Sequence, residues 1–80
     1  MKIKVLGPGC MKCKKLYEAT KNAIAETGVA AELEKVDQIS DIMQYGVALT
    51  PALVIDGEVK CAGKLPSSSE LSDWITSAAE

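Results

Sequence analysis

Histidine and phenylalanine are both absent, and aromatics make up only 4% of the chain, as Trp74, Tyr17 and Tyr45. Without histidine there is no imidazole for acid–base catalysis and none to bind a metal. Without phenylalanine the core must be aliphatic. Cysteine is sparse and odd in number, with three residues. That rules out a four-cysteine zinc site within one chain and does not suit the dense, even disulfide framework of a small secreted domain. No apolar run approaches the ~18 residues of a membrane span. Residues 1–6 alternate Lys with apolar residues instead of forming the apolar stretch of a signal peptide. The expectation is a cytoplasmic protein with no membrane partner. A basic excess is also lacking, since the net charge is −2. No aromatic residues interleave with the lysines, so nucleic acid is not an expected partner.

What is present suits one domain, expected to span residues 1–80. Apolar residues form 48% and charged residues 25% of the chain, ordinary values for a globular protein. A chain this short buries roughly 60–65% of its unfolded surface, enough for a modest core. The charge is unevenly placed. Residues 1–21 carry six lysines against Glu18 alone, a net +5, and the remaining residues carry −7. Lys12, Lys14 and Lys15 have two readings. They form a solvated helix face, or they raise the local potential, favour a thiolate nearby and attract acidic partners.

The richest stretch is Gly7-Pro8-Gly9-Cys10-Met11-Lys12-Cys13. Lys2 to Leu6 reads as a strand by its alternation. Gly7-Pro8-Gly9 breaks it. From Met11 to about Thr27 the residues Leu16, Ala19, Thr20, Ala23, Ile24 and Thr27 form a helical stripe, and Gly28 suits the helix stop. Two thiols three positions apart at a strand–helix junction read first as a dithiol/disulfide pair. Cys10 falls at or near the helix N-cap, where unpaired N–H groups and the helix dipole favour thiolate over thiol.

Val29 to Val36 reads as a second strand, with Val29, Ala31 and Leu33 on one face and Val36 on the other. Asp37 is positioned to cap a short helix over Gln38 to Tyr45, with Ile39, Ile42 and Met43 at helical spacing and Gly46 at its end. Met43 and Tyr45 are expected to pack. Pro51 leads into Ala52-Leu53-Val54-Ile55, and Asp56-Gly57 joins this run to Glu58-Val59-Lys60-Cys61-Ala62. Asp-Gly between two β-rich runs predicts a hairpin with a two-residue type I′ turn. Ser67 with Glu70 forms a capping box, and Leu71, Trp74, Ile75 and Ala78 follow as an amphipathic helix. The predicted architecture is α/β, ordered β-α-β-α-β-β-α, with a four-stranded mixed sheet and helices on both faces.

Taken together, these pieces resemble a known family. Gly9-Cys10-Met11-Lys12-Cys13 follows the first strand, Thr50-Pro51-Ala52-Leu53 precedes the hairpin, Asp56-Gly57-Glu58-Val59 forms the turn, and Gly63 precedes the last helix. The chain resembles the small archaeal and bacterial thioredoxin/glutaredoxin-like redox-active disulfide proteins, with a thioredoxin-like three-layer fold. The resemblance implies a thiol–disulfide oxidoreductase, a protein-disulfide reductase, working without a bound cofactor or metal. Cys10 would be the exposed thiol that attacks a partner disulfide, and Cys13 the thiol that resolves the mixed disulfide. Pro51 would be a cis-proline packed against the pair, with the backbone of Thr50 pairing with substrate. Gly9, Met11 and Lys12 would border the site, with Met11 offering an apolar contact.

The partners implied are disulfide-containing client proteins and, as electron donor, a thioredoxin-reductase-like flavoprotein; a monomer is expected. The pair inside the motif, Met11-Lys12, matches neither the Gly-Pro of thioredoxins nor the Pro-Tyr of glutaredoxins. Glutathione-site elements are not matched either, since Gly63 is followed by Lys64-Leu65.

Other readings of the same residues stay open. A soft-metal carrier also places Cys-x-x-Cys after a first strand to bind copper(I). Against it, Pro8 stands where that motif has Met, and the chain ends in a helix instead of a strand. A redox-inactive binding module could use the Thr50-Pro51 surface alone. Cys10 and Cys13 could be inert half-buried cysteines, and Pro51 an ordinary trans proline opening a strand. Cys61 reads as a small hydrophobe, with an auxiliary thiol as the alternative.

Overall fold

Lys2–Leu6 forms strand β1, with Ile3, Val5 and Leu6 buried and Lys2 exposed. The computed structural model describes residues 1–79. Helix α1 runs Met11–Thr27 and stops at Gly28, which takes a left-handed conformation. Strand β2 (Glu32–Val36), helix α2 (Ile39–Met43), strands β3 (Ala52–Ile55) and β4 (Glu58–Ala62), and helix α3 (Ser68–Ala79) follow. The sheet order is β2-β1-β3-β4. β1 and β2 are parallel, whereas β1–β3 and β3–β4 are antiparallel. This is the predicted α/β arrangement.

Two cores lie on opposite faces of the sheet. On one, α1 and α3 bring Leu16, Ala23, Leu71 and Ile75 onto Ile3, Val5, Leu53, Ile55 and Cys61. On the other, α2 contributes only Ile42, which meets Leu6, Ala52 and Val54, with Val36, Tyr45, Val47 and Ala62 at the margin. Leu33 joins the first face and Val36 the second, as their alternation requires.

The local signals hold where neighbouring residues suffice. Asp56 and Gly57 both take positive φ, 47° and 84°, as a type I′ turn demands. Asp56 also ties the turn to β1, its N–H donating to the Lys2 carbonyl and its carboxylate accepting from the Lys2 N–H, both at 2.8 Å. The capping box is reciprocal. Glu70 N–H donates to Ser67 Oγ, and Ser67 N–H donates to Glu70 Oε1, each at 3.2 Å.

Two elements depart from the expected bounds. β2 begins at Glu32, not Val29. Its parallel partner starts at Lys2, opposite Glu32, and Glu32 N–H donates to the Met1 carbonyl. Upstream residues have no strand to pair with; Val29 and Ala31 pack by their side chains alone. α2 is shorter than Gln38–Tyr45, and Asp37 does not cap it. Gln38 is the N-cap, with no side-chain hydrogen bond. Beyond Met43 the chain tightens, with Gln44, Tyr45 and Gly46 N–H groups reaching back three residues each. Met43 does not pack either: it is 68% exposed, and Ile39, one turn earlier, is 66% exposed.

Candidate active site

The pairing register gathers one end of the sheet. Leu6 lies opposite Val36 and Ala52, and Ala52 lies opposite Ala62. The segments after β1, β2 and β4, and the segment before β3, therefore all leave the sheet at the same end. Cys10 and Cys13 sit here, with Thr50-Pro51 entering from the other side.

Gly7 makes the first turn of this end. Its N–H donates to the Val36 carbonyl at 2.9 Å, and it is buried. A Cβ on Gly7 would overlap Cys13 Sγ and lie 3.9 Å from Pro51 Cα. Gly7, Cys13 and Pro51 thus converge on one point, and glycine is required there because no side chain fits. In sequence Gly7 reads only as a strand breaker. The contact joins residues far apart in the chain, so no local pattern announces it.

Cys10 is the N-cap of α1, with extended backbone at φ −68° and ψ 168°. Its sulfur accepts the Cys13 N–H at 3.3 Å, the capping role usually filled by an oxygen. Its own carbonyl accepts from Lys14 N–H at 3.0 Å, opening the helix ladder. All three cysteines are free thiols, with Cys10 exposed and Cys13 and Cys61 buried.

The two thiols of the pair are pushed apart electrostatically. Cys10 is lowered from the ordinary thiol value, first by a hydrogen bond from the Cys13 thiol and then by the Cys13 backbone N–H. Cys13 is raised, first by burial and then by its hydrogen bond to Cys10. The leading causes at Cys10 are hydrogen bonds, not the charges of Lys12, Lys14 and Lys15.

The Thr50–Pro51 peptide bond is cis. Pro51 is fully buried, and Thr50 is exposed. The Pro51 carbonyl accepts from Gly63 N–H at 2.8 Å, which pins this junction to the end of β4. Gly63 has φ +79°, and a Cβ there would lie 2.8 Å from Leu49 Cβ. Both its conformation and its space call for glycine. Gly9, Met11 and Lys12 are exposed beside Cys10, with Met11 at 71%.

Cys61 is not part of this gathering. It lies opposite Leu53 in the α1/α3 core, and burial raises its thiol above the ordinary value. Among the described residues, no group of three or more His, Cys, Asp or Glu is arranged to hold a metal ion. Among them, too, no helix is long and apolar enough to cross a membrane.

Comparison with known proteins agrees with this layout. The family model of the thioredoxin domain matches residues 1–76. A thioredoxin of Methanothermobacter thermautotrophicus is 37% identical over 71 residues, covering 89% of this chain and 92% of its own. A thioredoxin of Methanocaldococcus jannaschii is 36% identical over 78 residues, covering 98% and 90%. A probable thioredoxin of the former organism is 33% identical over 76 residues. A strand–helix junction bearing two unlike thiols, closed by a buried proline, lies within a match that spans nearly the whole chain: the chain belongs to the thioredoxin-domain family.

Proposed function

We propose that the chain is a single-domain protein-disulfide reductase whose Cys10 and Cys13 form the redox pair. The observation that carries this reading is the asymmetry of the two thiols. Cys10 is exposed, accepts the Cys13 N–H at 3.3 Å and is lowered, while Cys13 is buried and raised. One sulfur is thus prepared to attack and the other is held in reserve as a thiol.

In the first step the Cys10 thiolate attacks one sulfur of a partner disulfide. An S–S bond forms between the two proteins, the partner's own S–S bond breaks, and the second partner sulfur leaves as a thiolate that takes up a proton. In the second step Cys13 loses its proton and attacks Cys10 Sγ. The Cys10–Cys13 disulfide forms, and the first partner sulfur leaves and is protonated. Two electrons pass to the partner, which ends as a dithiol. The Cys13 N–H bond supports the order of events: it stabilises the Cys10 anion and weakens once Cys10 carries a disulfide bond instead of a charge.

The surroundings support a protein partner. Met11, Ile39, Leu49 and Leu65 are large, exposed apolar side chains, and each lies on or beside a segment leaving the Cys10 end of the sheet. In this reading Gly9, Met11 and Lys12, exposed beside Cys10, and Thr50 and Pro51, at the same end of the sheet, meet the client. Thr50 offers its backbone to an extended client segment. Disulfide-containing proteins are the natural clients, and a thioredoxin-reductase-like flavoprotein of the same compartment, the cytoplasm, is the electron donor in this reading.

The test is reduction of a protein disulfide by the dithiol form. Cys10→Ser is expected to abolish the reaction. Cys13→Ser is expected to trap a mixed disulfide through Cys10, visible by mass. Cys61→Ser is expected to retain most of the rate. Full activity of Cys10→Ser overturns the proposal.

A further inference from the structure

The outward face of α1 carries a feature that the exchange chemistry does not use. Met11, Lys14, Lys15, Glu18, Ala19 and Asn22 line a shallow groove of about 450 Å³ that starts one residue beyond Cys10 and runs along the helix. Its floor is mostly apolar, from Met11, Ala19 and the lysine stems. Its rim is positive. Between residues 11 and 22 there are four lysines and one acidic residue, in a chain whose net charge is −2.

Other lysines have work elsewhere. Lys4 Nζ lies 3.0 Å from Tyr45 Oη and 3.8 Å from Glu34. Lys60 lies 3.3 Å from Glu58, and Lys35 sits 4.9 Å from the centre of the Tyr17 ring. Lys12, Lys14, Lys15 and Lys21 make no ion pair among the described residues, even though Glu18 is one turn from both Lys14 and Lys15. They are also not the leading cause of the lowered Cys10 thiol. Their charge is left facing solvent, beside an apolar strip, next to the exposed sulfur.

We propose that this groove is a docking surface for the disulfide-bearing partner, and that its occupant is an acidic segment carrying an apolar side chain. The proposal rests on the exchange reading above and names its partner class. The apolar side chain lies against Met11 and Ala19 while carboxylates meet Lys14 and Lys15. Charge complementarity of this kind acts mainly on encounter rate and partner choice. It selects clients before any sulfur chemistry begins.

The experiment uses two synthetic disulfide peptides identical around the cysteines, one flanked by Glu and Leu, the other by Lys and Leu. Reduction rates by the full chain are expressed relative to that of 2-hydroxyethyl disulfide, which is small and uncharged. The acidic peptide is expected to react about tenfold faster than the basic one at low ionic strength. That ratio should collapse near 1 M salt, where the screening length is about 3 Å. The double variant Lys14→Glu with Lys15→Glu should invert it.

A second readout needs no redox activity. The acidic peptide with serines in place of its cysteines should shift the amide resonances of residues 11–22 in the parent and not in the double variant. Equal rates for the two peptides together with unshifted α1 resonances overturn the docking surface and leave the exchange reading intact. Shifted resonances without reduction of any disulfide retain the surface and overturn the exchange reading. Concentration-dependent self-association through α1 would make a second copy the occupant and also overturn the proposal.

Discussion

The two faces of the sheet are built to different depths. On one, two helices of 17 and 12 residues close over Ile3, Val5, Leu53 and Ile55. On the other, a five-residue helix supplies one buried side chain, Ile42. The rest of that face is finished by the partly buried Val36, Tyr45, Val47 and Ala62 and by a charged residue with a long stem. Lys4 sits opposite Glu34 and Val54 and reaches Tyr45, so its methylenes shelter the apolar strand while its ammonium stays in water. Folding is thus carried by the deep face. The shallow face, with Ile39 and Met43 exposed on α2, has apolar surface left over for contacts with other molecules. The site lies at the sheet end between them, anchored by the deep side through α1.

The comparison can be broken by truncation. Leu71→Ala on the deep face is expected to destabilise by about 4 kcal/mol, because a fully enclosed site cannot collapse. Ile42→Ala on the shallow face should cost less, about 2 kcal/mol, because neighbouring chain and water can move in. Denaturant unfolding of both variants checks this, and a reversed order refutes the contrast. Gly7→Ala should cost about 1–3 kcal/mol, since its Cβ would overlap Cys13 Sγ. It should also slow resolution of the mixed disulfide, which quenched-flow mass analysis would show.

Ser67→Ala removes the cap of α3 on the deep side and should cost about 1 kcal/mol. A much smaller loss would mean that α3 is held by packing alone. The smallest change sharpens the view of the thiols themselves. Cys10 is lowered, so its alkylation rate should rise with pH through a midpoint below that of an ordinary free thiol. Cys13→Ala removes the side-chain donor that is the strongest cause, and the midpoint should move back up. Cys61 is raised by burial and should stay unmodified over the range in which Cys10 reacts. An unmoved midpoint in Cys13→Ala would show that the thiol hydrogen bond is not the cause.

The deep face was also the legible one. The α1 stripe of Leu16, Thr20 and Ala23 and the α3 set of Leu71 and Ile75 repeat often enough to declare both helices and their buried sides. α2 offered only Ile39, Ile42 and Met43, which suit a packed helix as well as a barely covered one. Three apolar residues over two turns cannot say how many of them will find a partner.

Local chemistry in the chain was enough to specify the Asp56-Gly57 turn, the Ser67–Glu70 cap, and Cys10 at the head of α1, because each depends on residues within four positions. The tertiary structure alone decided where β2 begins, since that depends on where β1 can offer a partner. It alone brought Gly7, Cys13 and Pro51 to one point, since these residues are far apart in the chain. Charge along a sequence is a sum over residues, whereas the field at one sulfur is set by the few donors that the fold holds against it.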